Sequence, residues 1–238
     1  MLSKKPTILL SSIILIVIII GGGIYSYKKG YFNLSPQASS IPTLTPEKLL
    51  SSFIVKNPNL TAEQAQIFQQ RFDETKKSLQ ANSDDFSRWL YLGVLKKGIG
   101  DYEGARDVFL YAGQIRPQSS TPFVNLADLY TYFLNEPIKA EENIKKAIAN
   151  DPNDYNLYLS LADIYRYKFP ERQGAYEQTM LEAIVKFPDN ANLIAPLAGY
   201  FRDTNQTQKA IEWYEKLVKL NPDNTAAEQD LAELKAKK

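Results

Sequence analysis

Residues 89–117 read WLYLGVLKKGIGDYEGARDVFLYAGQIRP, and this stretch decides the fold. Apolar residues recur at three- and four-residue steps on either side of the turn Gly100-Asp101-Tyr102-Glu103-Gly104. That is the period of two amphipathic helices, and Pro117 closes the second. Outward from this unit the closing proline returns. Pro117, Pro152, Pro188 and Pro222 stand in the contexts IRPQ, NDPN, KFPD and LNPD, at separations of 35, 36 and 34 residues. A fixed period of this length is the signature of a solenoid, whose units bury a core only by stacking.

The rest of the unit recurs with the proline. Trp89, Leu92, Gly93, Ala105, Phe109 and Ala112 are followed in the second unit by Phe123, Leu126, Ala127, Tyr130, Ala140, Ile144 and Ala147, after an extra residue near Asn135-Glu136-Pro137. The fourth unit has Ile194, Leu197, Ala198, Phe201, Ala210, Tyr214 and Leu217. The third diverges: Tyr158, Leu161, Ala162 and Tyr165 fit its first helix. Phe169-Pro170-Glu171-Arg172 then lengthens the turn, and Tyr176 and Met180 replace an alanine and a phenylalanine, which predicts a second helix seated differently. Small residues at Gly93, Ala127, Ala162 and Ala198 let paired helices approach, and Trp89, Phe123, Tyr158 and Ile194 fill the space between units.

This pattern closely resembles the tetratricopeptide repeat, which runs Trp, two residues, Leu-Gly, two residues, Tyr, then Ala, three residues, Phe, and finally Pro. In the first unit only Lys96 departs, standing where Tyr is expected. The resemblance covers about residues 84–224, and more loosely 61–238. It implies an all-α fold, a right-handed α-solenoid of helix-turn-helix repeats spanning 84–119, 120–154, 155–190 and 191–224. Residues 46–83 read as N-terminal helices: a short one over Glu47 to Val55 behind Thr45-Pro46, and a longer one from the Thr61/Gln64 capping box to about Ala81. Residues 225–238, with Asp230, Glu233, Lys235, Lys237 and Lys238, read as a polar capping helix.

Ahead of the repeats lies a different kind of segment. After a short tail, 1–7, residues 8–27 read ILLSSIILIVIIIGGGIYSY, 20 residues without a charge. As a helix they reach about 30 Å, the hydrocarbon thickness of a bilayer. Lys4 and Lys5 before the run, Lys28 and Lys29 after it, and Tyr25, Tyr27, Tyr31 and Phe32 suit the two interfaces. The expectation is a single-pass transmembrane helix in the cell membrane. The short leading tail favours the N-terminus inside and the repeats on the outer, extracytoplasmic side. The run is long for a signal peptide and lacks a small-x-small cleavage site, so retention is favoured over release of a secreted soluble binder. A Ser/Thr/Pro-rich linker over 28–45 reads as an extended tether.

The composition narrows the chemistry. The 238 residues are 44% hydrophobic and 23% charged with a net charge of +1, and they contain no cysteine and no histidine. Disulfides, thiolate nucleophiles, imidazole bases and the usual zinc ligands are excluded together. The four lysines near the apolar run leave 24 basic against 27 acidic residues elsewhere, without the basic field that nucleic acid requires. Gly98, Gly100 and Gly104 have the wrong spacing for a dinucleotide fingerprint and read as a turn. Asp84-Asp85 reads as a helix start and Glu141-Glu142 as a solvated face. No catalytic residue, metal ligand, cofactor or small-molecule substrate is expected.

The family resemblance places partners in a concave groove lined by the first helix of each repeat, occupied by extended peptides or helices. It implies a non-enzymatic scaffold binding a protein or peptide partner through Asp128, Thr131, Tyr132, Asp163, Arg166, Tyr167 and Arg202, with Lys97, Val124, Leu159, Gly199 and Asp203 among the flanking residues. The tyrosines suit stacking or hydrogen bonding, and the arginines suit carboxylates. The plain alternative is that these charges satisfy one another and the tyrosines pack between repeats. A regulatory or carboxylate-only enzyme subunit of the cell envelope remains a second reading, and it requires two acids converging in a cleft.

Overall fold

The computed structural model describes residues 44–172 and 174–236. The four periodic prolines set its punctuation. Arg116, Asp151, Phe187 and Asn221, each just before one of them, share one backbone conformation, with φ between −127° and −136° and ψ between 68° and 81°. Crowding by the proline ring drives the preceding residue out of the helical region, so each helix stops there. Each of the four still donates its N–H to a helix carbonyl, that of Ala112, Ala147, Ala183 or Leu217.

Among the described residues the regular structure is helical. α1 (Pro46–Leu49) and α2 (Ala62–Ala81) lead into four helix pairs: α3 (Phe86–Gly98) with α4 (Tyr102–Ile115), α5 (Thr121–Tyr132) with α6 (Pro137–Asn150), α7 (Tyr155–Lys168) with α8 (Ala175–Lys186), and α9 (Ala191–Asp203) with α10 (Thr207–Leu220). α11 (Thr225–Ala236) closes the series. Asp85, Asp154 and Asn190 cap α3, α7 and α9, accepting the N–H groups of Arg88, Asn156 and Asn192 at 3.0, 2.9 and 3.0 Å. The capping box of α2 forms as expected: Thr61 accepts from the Gln64 N–H at 3.2 Å, and Gln64 accepts from the Thr61 N–H at 2.9 Å. From α2 onward each helix packs chiefly on its neighbours in the chain, the arrangement of a quasi-one-dimensional solenoid, while α1 packs on α4.

The small-against-large pattern explains the pairing. Gly93 lies so close to the fully buried Phe109 that a Cβ there would sit 2.3 Å from the ring. Ala127, Ala162 and Ala198 are likewise buried, opposite Ile144, Met180 and Tyr214 of their paired helices' cores. Trp89 is fully buried, and its indole N–H reaches the Ser83 carbonyl at 2.8 Å. Leu90 and Leu110 pack both on the core around Trp89 and Leu92 and on the core around Phe109 and Leu126, so the core is continuous from unit to unit there.

In the divergent third unit Tyr176 and Met180 fill the interior as their positions require, but α8 has 12 residues where the other second helices have 14. It starts from Gly174 at φ +91°, a conformation a side chain would strain. The longer turn is tied back to the preceding pair: Arg172 stacks 4.0 Å above the Phe169 ring and donates to Glu141 at 2.6 Å. Glu141 also accepts from Tyr165 at 2.8 Å and Lys145 at 2.6 Å. Glu141 therefore belongs to a bonded node, which corrects its reading as a merely solvated acid.

Two expectations at the N-terminal edge are corrected. The first helix ends at Leu49 rather than Val55, because Leu49 and Leu50 turn into the core beside Phe72 and Leu79. The chain then runs extended, with the Lys56 and Asn57 N–H groups both donating to the Ile99 carbonyl at 2.8 Å. Leu44, expected within the tether, is buried in the same cluster. The expected transmembrane helix 8–27 and the linker up to residue 43 lie outside the described residues. Among the described residues no helix is long and apolar enough to cross a membrane.

Candidate functional site

The first helices α3, α5, α7 and α9 carry the residues singled out from the sequence, and the 35-residue period brings like positions onto neighbouring helices. Four of the seven converge. Asp128, Thr131 and Tyr132 of α5 and Asp163 of α7 line one cavity of about 150 Å3, together with Val124, Ala127, Ile144, Ser160 and Ile164. Ser160, three residues before Asp163 on α7, and Ile164, next to it, escaped the sequence reading; the three-residue spacing is the signal that would have found Ser160.

Within this group the side chains differ in freedom. Tyr132 and Tyr167 are each 66% exposed, large aromatic surfaces held open to solvent. Thr131 is buried, and its hydroxyl donates to the Ala127 carbonyl at 2.7 Å, which leaves it a wall of the cavity with its proton already placed. Asp128 is ion-paired with Lys97 of α3. Asp163 forms no ion pair and no side-chain hydrogen bond among the described residues. Asp163 is exposed as a residue, and the partial burial of its carboxyl beside the cavity pushes its pKa up, against a smaller opposing pull from Arg166. The Tyr132 hydroxyl is also pushed up, first by burial and then by the charges of Asp163 and Asp128.

Arg166 and Arg202 sit apart from that cavity, each already engaged. Arg166 reaches Asp203 of α9 at 3.2 Å, and its guanidinium lies 5.4 to 5.5 Å from the rings of Tyr167, Tyr176 and Tyr200. Burial pushes the Tyr176 hydroxyl up to about 12, more strongly than Arg166 pulls it down, and it donates to the Pro196 carbonyl at 3.2 Å. Arg202 pairs with Asp203 at 3.2 Å and with Asp230 of α11 at 2.5 Å. For the two arginines mutual satisfaction of charge, the plainer of the two sequence readings, is what the geometry contains. Among the described residues no cluster of three His, Cys, Asp or Glu side chains is placed to hold a metal ion.

Comparison with known proteins addresses the fold. Residues 197–224 match the family model of the tetratricopeptide repeat. The curated relative "Pre-mRNA-splicing factor 6" of Saccharomyces cerevisiae is 24% identical over 122 residues, half of this chain and 13% of that protein, so the chain spans a small part of the relative's length. Among solved structures, MamA superposes with a TM-score of 0.54 at 15% identity, over 70% of this chain and 98% of the other. YrrB superposes with a TM-score of 0.50 at 12% identity, over 68% and 82%. The repeating helix pairs, the matched segment and these superpositions agree: the described part of this chain has the all-α fold of a tetratricopeptide-repeat solenoid.

Proposed function

We propose that this protein is a non-enzymatic interaction scaffold, tethered to the cell membrane by residues 8–27, which holds partner peptides or helices along the groove formed by its first helices. Tetratricopeptide proteins generally mediate protein–protein interactions. The observation that carries the reading here is the pair of exposed tyrosines, Tyr132 and Tyr167, on consecutive first helices, the first of them lining a cavity between those helices. Large aromatic surfaces of low conformational entropy are typical anchors of recognition. YrrB, of similar fold, is described as a tetratricopeptide protein with an unusual peptide-binding site, which supports a peptide as the occupant.

The tether rests on the 20 uncharged residues and their flanking lysines, and the repeats are taken to lie on the outer side of the membrane. Proximity crosslinking in native membranes, comparing wild type with the Tyr132→Ala/Tyr167→Ala variant, tests the reading. Both side chains are exposed, so the variant keeps its core. Partners crosslinked by wild type and lost from the variant place binding in the groove. An unchanged partner set moves the interface elsewhere. In the same preparations, release of the protein by alkaline carbonate would refute the anchor, and shielding of the repeats from protease added outside the cell would refute the orientation.

A further inference from the structure

The period of the solenoid allows its levels to be compared position by position. Lys97 of α3 and Asp128 of α5 form an ion pair between consecutive first helices. One repeat later Thr131 stands where Lys97 stood and Asp163 where Asp128 stood. The acid has been kept and its base has not. Asp163 has neither ion pair nor side-chain hydrogen bond among the described residues, and Arg166, whose charge acts on it, is bound to Asp203 and stacked among three tyrosines.

We infer that this level takes its cation from outside: the cavity between α5 and α7 receives the Lys or Arg side chain of a partner peptide, with Asp163 as counter-ion and the Tyr132 ring against the charged head. The inference rests on the groove reading above and names the chemistry of its occupant.

Size and lining agree with one long side chain. The cavity of about 150 Å3 falls below the roughly 300–1,000 Å3 of small-molecule sites. Val124, Ile144 and Ile164 offer an apolar wall for the methylene stem, while Asp163 and the exposed Tyr132 supply the polar end. Basic side chains bury their stems and keep their heads polar, and a cation over an aromatic face is attracted by the ring. A carboxylate ligand would meet the uncompensated charge of Asp163, and a hard metal ion would find one acid where it needs several oxygen ligands. The raised carboxyl pKa of Asp163 is consistent with a charge still lacking its partner.

The test is a selection of random dodecapeptides on the full-length chain, followed by titration of enriched peptides against wild type, Asp163→Asn and Tyr132→Ala/Tyr167→Ala, with circular dichroism confirming that each variant is folded. The expected result is a fixed Lys or Arg in the enriched peptides and affinity about 10- to 100-fold weaker for Asp163→Asn, the worth of a charge-assisted bond. Replacing that Lys or Arg with norleucine costs wild type the same factor and costs Asp163→Asn nothing. Peptides that need the two tyrosines but share no basic residue, or bind Asp163→Asn as well as wild type, overturn this inference and leave the groove reading standing. Peptides indifferent to the loss of both tyrosines, or no enrichment at all, overturn both.

Discussion

Lys96 and Asp101, both buried, are joined by a 3.2 Å ion pair at the turn between α3 and α4. Lys96 also donates to the Ser52 carbonyl at 3.0 Å, and Lys56 reaches Asp101 at 2.9 Å, so the pair fastens the extended segment after α1 onto the first repeat. Lys96 is the residue that departs from the repeat pattern, and this clasp is its reason. Replacing it with Tyr, the residue the pattern expects, should cost about 2–3 kcal/mol, somewhat less than the usual cost of breaking a buried pair because Lys56 stays. Denaturant unfolding measures the loss, and hydrogen exchange should show the amides of Lys56 and Asn57 freed first.

Acid should open the same clasp. Burial drives the Asp101 carboxyl up, but the hydrogen bond from Lys56 and the charge of Lys96 outweigh it, and the group titrates below the usual carboxylate range. A depressed folded pKa gives stability that is complete above the unfolded value of about 3.9 and is lost as pH falls through the folded value. Protection of the Lys56 and Asn57 amides, relative to the intrinsic exchange rate at each pH, should fall in wild type from neutral pH into that range and be already low, with a weaker pH response, in Lys96→Tyr. Equal pH profiles for the two proteins would sever the link to this pair.

Two glycines inside first helices should respond oppositely to alanine. At Gly93 a Cβ would lie 2.3 Å from the buried Phe109 ring, so Gly93→Ala forces α3 and α4 apart and should cost about 1–3 kcal/mol. At Gly199, in the interior of α9, the nearest atom is the Tyr214 hydroxyl oxygen at 4.0 Å, which is ordinary contact. Gly199→Ala should therefore stabilise by about 0.5–1 kcal/mol through helix propensity alone. Paired denaturation curves decide both.

The contrast marks what the sequence made legible. Repeat spacing, the small residues of the first helices and the prolines that end the second ones act locally or between neighbours, and they can be read by eye. The clasp at Lys96 could not be, because Ser52 lies 44 residues away, and no local rule stops α1 at Leu49. Glu141 was misread for the same reason, since its partner Arg172 lies 31 residues on. The repeat register placed Tyr132, Asp163 and Tyr167 on first helices, where the structure has all three exposed. That Thr131 is turned inward and Arg202 held by Asp230 depended on helix rotation and on α11, neither of which the repeat pattern encodes.

Asp163 should cost the fold a small amount of stability, because the residue is exposed and solvent screens most of the penalty. Dehydration raises its carboxyl pKa more than Arg166 lowers it, while from α5 it faces the neutral Tyr132 and an Asp128 already paired with Lys97. A carboxyl raised in the folded state binds its proton more tightly there, so stability falls as pH rises through the folded pKa. Asp163→Asn should then melt higher than wild type at neutral pH, and the gap should close below about pH 4, where the unfolded carboxyl is protonated too. Thermal melts across that range check the sign. An Asn variant less stable than wild type at pH 7 would mean that Asp163 has a stabilising partner in the unliganded chain.

Asp230 should hold the C-terminal helix in place. It accepts from the buried Tyr214 at 2.7 Å and from Arg202 at 2.5 Å, so α11 is joined by one carboxylate to both helices of the last repeat. Burial of the Tyr214 hydroxyl, then its bond to Asp230, pushes that phenol up in pKa, and it stays a donor well beyond neutral pH. Asp230→Ala removes the acceptor and strands that hydroxyl, which should cost about 1–3 kcal/mol. Because contacts in a solenoid are between neighbours, the loss should be local: amide exchange should quicken in α11 and α10 and stay unchanged in α3 and α4. Tyr214→Phe removes the donor without stranding a buried group and should cost much less. If the two substitutions destabilise equally, the Asp230 carboxylate is not what fastens α11 to the last repeat.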